Sequence, residues 1–196
     1  MTSALWRAMI EPGLASLPEH VAVLLTSLDA PPRLGAHLRA VHDVARQLAD
    51  WMTDHHPAVR FDREAVLFGA ATHDIGKVLH PEELSGPGTD HERAGFELLL
   101  ARGFEAKSAR FAWTHGAWSG DDIGMEDLLV GLADKVWKAK RVPDVEQLIV
   151  QRLAAADGSP PWQVFLALDD ALDRTAAEAD SRLAFQASYP IEARPS

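Results

Sequence analysis

The chain has 196 residues, no cysteine, a hydrophobic fraction of 47% and a formal net charge of −10. That length suits one globular domain with a real core, and the missing thiols exclude a disulfide framework and thiolate zinc sites. The acidic balance argues against a nucleic-acid polymer as partner, but not against a small phosphorylated molecule met through a metal ion.

The first residues, MTSALWRAMIEPGL, lack a basic start followed by a signal-like apolar run. No apolar stretch approaches the roughly 20 residues that cross a bilayer, so a cytoplasmic protein without a membrane partner is expected. Strand signals are scarce, and Pro and Gly punctuation divides the chain into helices. The reading is an all-α single domain over 1–196, with flanking helices over 1–30 and 144–187.

In chain order, helices are expected over 3–10, ended by Glu11-Pro12-Gly13, and over 18–28, closed by Pro31-Pro32. A long helix over 32–54 carries Leu34, Leu38, Val41, Ala45, Leu48 and Met52 at three- and four-residue steps, one apolar stripe. His55-His56-Pro57 follows as a solvated turn. A fourth helix starts at the N-cap Asp62 and ends near His73-Asp74. Beyond the turn-rich SGPGTD, Asp90 caps a helix over 91–102 that Gly103 ends. Helices over 105–116, 125–140, 144–156 and 160–187 complete the chain, and PIEARPS reads as a loose tail.

Chemistry gathers at AATHDIGKVLH, residues 70–80. His73 and Asp74 both carry lone pairs suited to a divalent cation. Adjacent residues diverge by about 100° on a helix, but at a helix end they can converge on one ion. His37 lies on the flank of the apolar stripe, and Asp134 stands inside the apolar stretch GLADKVWKAK, where a carboxylate is costly to bury unless it is paired or metal-bound. DHERAG and WTHGAW each set a histidine, His91 and His115, beside a core-like segment.

In this order, a His on one helix, His-Asp on the next and a distant Asp on a later one, the chain resembles the HD-domain superfamily of metal-dependent phosphohydrolases. HLRAVHDVARQLA, ATHDIGK and LADKV carry the likeness, over about 34–140. The resemblance implies a compact bundle of helices around a metal site built from His37, His73, Asp74 and Asp134. His42 competes with His37 for the first position: its spacing to His73 is closer to the family's, whereas His37 fits the apolar register that follows and is preferred. HERAG and THG resemble segments that add ligands in two-metal members, which implies His91 and His115 around a second ion, with Asp74 as bridge. The link after His-Asp resembles the HD-GYP branch, but the diagnostic Gly-Tyr-Pro is absent, so cyclic dinucleotide hydrolysis is not carried over.

One or two divalent ions are therefore expected, from Mn, Fe, Co, Ni, Zn or Mg. Such an ion acidifies bound water and polarises a phosphoryl oxygen. The implied function is hydrolysis of a nucleotide or other small phosphate ester, with Asp74 and Lys77 as catalytic residues, Lys77 one turn past His73 on the same face of a continuing helix and available for the substrate's phosphate. A non-catalytic metal- or nucleotide-binding module and, below it, a di-iron oxygenase on the same fold are the alternatives. Of the basic cluster Lys135, Lys138, Lys140 and Arg141, the spacing puts Lys138 or Arg141 in reach of a phosphate, though a solvated helix face is favoured. Trp113 and Trp118 are read as core packing, and His80 and Glu83 as groups supporting the site from behind.

Overall fold

The computed structural model describes residues 3–120 and 122–192. Among the described residues there is no strand. Helices α1 (Ala4–Ile10) and α2 (Glu19–Ser27) lead into the long α3 (Pro32–His55), which starts on a proline with no amide hydrogen to leave unpaired. Helix α4 (Arg63–Thr72) is capped by Asp62, whose side chain accepts from the Ala65 amide at 3.0 Å. Helices α5 (Asp90–Ala101), α6 (Ala106–Ala109), α7 (Phe111–Thr114) and α8 (Met125–Val136) carry the middle of the chain. The C-terminal part is α9 (Pro143–Asp157), α10 (Pro161–Ala176) and α11 (Ala179–Ala187).

Helix α3 is the axis of the molecule. α1, α4, α8, α10 and α11 all pack on it, so residues 34–45 are buried on every side rather than along one stripe. Burial then takes in Arg39, His42 and Asp43. Arg39 is fully buried and its guanidinium donates to the carbonyls of Ala8, Glu11, Leu14 and Ala15, which fastens the segment after α1 against the axis. Its neutral partners satisfy the donors of a charge that would otherwise be expensive to bury.

The two largest apolar clusters flank the axis. The larger joins α3, α4, α8, α9 and α10; the smaller joins α1 and α2 to the start of α3, the end of α4 and α5. Ala71 and Ile75 belong to the smaller cluster, Ala133 and Val136 to the larger. His73-Asp74 and Asp134 therefore lie where the two meet.

Several expected boundaries shift, each for a local reason. Helix α8 stops at Val136 because Ala139 takes a left-handed conformation (φ 59°) and the Lys140 amide bonds back to the Lys135 carbonyl, a C-terminal cap normally built on glycine. The expected helix over 105–116 is two short ones that meet at Arg110. The expected helix over 160–187 breaks at Ala177-Glu178 into α10 and α11. Thr89, not Asp90, is the N-cap of α5, and the Asp90 amide instead donates to Glu83. His56 is buried rather than solvated, bonded through Nδ1 to Asp157 and packed edge-on against Trp51. Of the tail PIEARPS, residues 193–196 lie outside the described residues.

Candidate metal centre

Helix α4 ends at Thr72; His73 is its C-cap, and the chain tightens into a 3-10 turn, Ile75–Val78. Asp74 sits between the two pieces, with φ −103° and ψ 14°. The change of winding lets two adjacent side chains face one point, which a continuous helix would forbid. It also means that Lys77 reaches the site from the 3-10 turn and not from one face of α4. Its Nζ lies 2.5 Å from Asp74 Oδ2.

The structure brings His37, His73, Asp74 and Asp134 together, with potential ligand atoms all within 4.8 Å of one another. His37 comes from α3, His73 and Asp74 from the end of α4, and Asp134 from α8. A second group, Asp74, His91 and His115, meets the same criterion and shares Asp74 with the first. Asp74 divides its oxygens between them. Oδ2 lies 3.0 Å from His37 Nε2 and 3.6 Å from His73 Nε2, while Oδ1 lies 2.9 Å from His91 Nε2 and 3.5 Å from His115 Nε2. Asp134 Oδ1 lies 3.4 Å from His73 Nε2 and 3.9 Å from that of His37. His42 takes no part in either group; it is buried on another side of α3, and burial pushes its pKa down to about 4.

Hydrogen bonding on the far side of the rings fixes which nitrogen is bare. His73 Nδ1 is 3.0 Å from the Ala70 carbonyl, and His115 Nδ1 is 3.1 Å from that of Ala112. A carbonyl only accepts, so both Nδ1 atoms carry the proton and both Nε2 atoms present a lone pair. His91 Nδ1 is held by the Glu83 carboxylate. The Nε2 atoms of His37, His73 and His91 are buried without a hydrogen-bond partner, although carboxylate oxygens stand before them. Lone pairs turned on lone pairs repel unless a proton or a metal cation lies between them. Imidazole nitrogen with carboxylate oxygen is a donor set for a divalent transition metal, so the residues present fit such an ion.

The electrostatics agree. Burial would raise the Asp74 carboxyl, but His73, His37 and His91 outweigh it and hold it well below the usual range. Asp134 is likewise depressed against its burial, chiefly by His73. Burial lowers His37 and takes His115 to about 4, which favours the neutral, ligating form of both rings. His91 is opposed by burial, yet Asp74 and Glu83 raise it.

Close backbone approach makes this geometry. A Cβ on Gly76 would stand 2.0 Å from the His91 carbonyl oxygen and 2.6 Å from the Gly95 amide nitrogen, so the turn after Asp74 can lie on α5 only because residue 76 is glycine. Gly131 of α8 does the same for the His115 segment, since a Cβ there would meet Trp118 Nε1 at 2.6 Å.

Glu83, expected as a supporting group, takes that place behind His91, while Lys135 and Glu92 stand out although the spacing gave little reason to select them. Glu83 is buried behind His91 and also accepts from the Asp90 amide at 3.1 Å, whereas His80 faces Glu82 at 3.4 Å, away from the rings. Lys135 places its Nζ 2.5 Å from Asp134 Oδ2. Glu92, half-buried beside His91, is held toward its protonated form by burial, with Asp74 adding to the effect. Its position one residue after a candidate ligand was the only signal. Trp113 corrects the core-packing expectation: it is half exposed, edge-on to Phe96 at 6.3 Å, while Trp118 is partly buried against the larger cluster. Arg141 is taken up by Glu146, Asp169 and Asp173, a tie between α9 and α10.

The HD domain family model matches residues 34–153, well over half of the chain. The chain belongs to the HD-domain family, an all-α fold whose members are mostly metal-dependent hydrolases. No curated protein and no solved structure matches it. Among the described residues no helix is long and apolar enough to cross a membrane.

Proposed function

We propose that this protein is a metal-dependent phosphohydrolase acting on a nucleotide or another small phosphate ester. The reading rests on one observation above all: two buried carboxylates ringed by imidazoles whose Nε2 atoms are turned on them and, for His37, His73 and His91, buried without a hydrogen-bond partner. His37, His73, Asp74 and Asp134 would hold one divalent ion, and Asp74, His91 and His115 a second. When bound, such ions supply an acidified water and a Lewis acid for phosphoryl oxygen.

The chain's own residues do the rest. Asp74 faces both groups and ties them into one site. Glu83 and the carbonyls of Ala70 and Ala112 keep the rings turned with Nε2 inward. Lys77, partly exposed at the rim, offers an ammonium to the substrate's phosphate. In the overall reaction the water oxygen bonds to phosphorus, the ester P–O bond breaks, and the departing alcohol carries a proton.

The test is phosphate release from a panel of nucleotides and sugar phosphates, with Mn, Co, Ni, Zn, Fe or Mg restored to stripped protein. Metal-dependent release by the wild type, reduced to background in a folded Asp74→Asn variant, is the expected result. Release that survives both metal stripping and Asp74→Asn would sink the reading. Tight nucleotide binding without turnover under every metal would make the protein a binding module instead.

A further inference from the structure

The basic residues after Asp134 divide sharply in the fold. Arg141 is spent on three carboxylates, and Lys138 lies over the Trp137 ring at 5.7 Å, exposed like Lys140. Lys135 alone of the four turns toward the metal-capable cluster, where its Nζ meets Asp134 Oδ2 at 2.5 Å.

That contact is not one a helix supplies. Neighbouring residues on α8 point in different directions, and helical ion pairs form at three- or four-residue steps. The Lys135 stem must curl back to reach its neighbour's carboxylate, so the amine marks where the site attracts positive charge. Lys77 does the same at Asp74 Oδ2 from another element. Both lysine side chains are 17–19% exposed against 4–9% for the carboxylates, so the amines form the solvent side of a buried anionic cluster. Asp134 keeps Oδ1 for His73 and His37 and turns only Oδ2 to the lysine.

A divalent ion held by those carboxylates would neutralise them and would leave an ammonium less firmly attracted there. A flexible, partly exposed amine then has a better partner in the next anion to arrive. On the reading of the site as a phosphohydrolase, we propose that Lys135 is a substrate-binding residue that, with Lys77, takes a non-bridging oxygen of the substrate's phosphoryl group. Its contact with Asp134 is its resting position.

The experiment uses inorganic phosphate as probe on metal-loaded full-length protein, with metal content measured alongside. In Lys135→Met the dissociation constant for phosphate should rise about tenfold, as for loss of one charge-assisted hydrogen bond, while bound metal stays at the wild-type level. Lys135→Arg should recover part of the loss, and Lys138→Met should bind phosphate as the wild type does. Where turnover is measurable, KM should rise by more than kcat falls. If Lys135→Met does not fold, Lys135→Gln is read in the same way. Unchanged phosphate affinity overturns the proposal, and so does loss of metal from the variant, which would make Lys135 a counter-ion of Asp134. A wild type that binds phosphate through Lys135 but releases none from any ester would overturn the hydrolase reading and leave the anion site standing.

Discussion

His91 points its Nε2 at Asp74 because Glu83 grips the opposite ring nitrogen. That grip also raises the basicity of the ring, the usual effect of a carboxylate behind a ligating histidine. Glu83→Gln removes the charge and keeps the shape. It should weaken metal binding on the His91 side by about tenfold or more and leave the His37 side intact, as metal titration of each variant will show. Equal losses at both positions would mean that the two groups are not separable. His37 and His42 make the opposite point. Both are buried on α3, five residues apart, and only His37 lies within reach of His73, Asp74 and Asp134. Spacing along the sequence favours one, register the other; a rotation of 500° along the helix settles it, because the two rings leave the axis on different sides.

At the scale of elements, the site depends on where helices stop. Had α4 continued past Thr72, His73 and Asp74 would diverge and Lys77 would stack over His73. The 3-10 turn instead folds Asp74 inward and lays Gly76 on α5. Gly76→Ala puts a methyl carbon into the His91 backbone, with nothing flexible there to yield. A cost of about 1–3 kcal/mol is expected, seen as a lower melting temperature, together with loss of metal from the His91–His115 side as α5 moves off. A variant that melts and binds metal like the wild type would show that the close approach is not needed. The ends of α8 and α10 were hidden from sequence reading for a related reason. Ala139 adopts a conformation that usually calls for glycine, and Ala177-Glu178 breaks a run of good helix formers, so local propensity gave no warning and tertiary packing overrode it.

For the molecule as a whole, the candidate ligands come from α3, the end of α4, α5, the end of α7 and α8. Sites assembled from such distant elements exist only in the folded state, so a bound ion should stabilise that state. At a hundredfold excess over its dissociation constant the gain is about 2.7 kcal/mol, or roughly 5–10 °C in melting temperature for a chain of this size. Chelator should reverse it. The shift should also shrink as pH falls. His91, with its pKa raised above 6.5, keeps its proton on acidification, and an incoming ion must displace it. His37 and His115, lowered by burial, impose no such competition near neutrality. Melting curves with and without metal at pH 8 and pH 6 will test both signs; a pH-independent shift would remove His91 from the ligand set.

By itself the sequence determined that the chain is helical, that a His-Asp pair ends a helix, and in what order the other metal-capable residues occur. Those are local matters of periodicity, capping and spacing. Only the tertiary structure decided that α3 is buried all round, that Gly76 lets α5 bring His91 to Asp74, that Glu83 stands behind that ring, and that Lys135 rather than Lys138 or Arg141 turns to the carboxylates. Each of these depends on the side from which a distant segment approaches. Backbone-to-backbone contact and charge attraction across space set that side, and residue order along one chain does not encode it in any readable period.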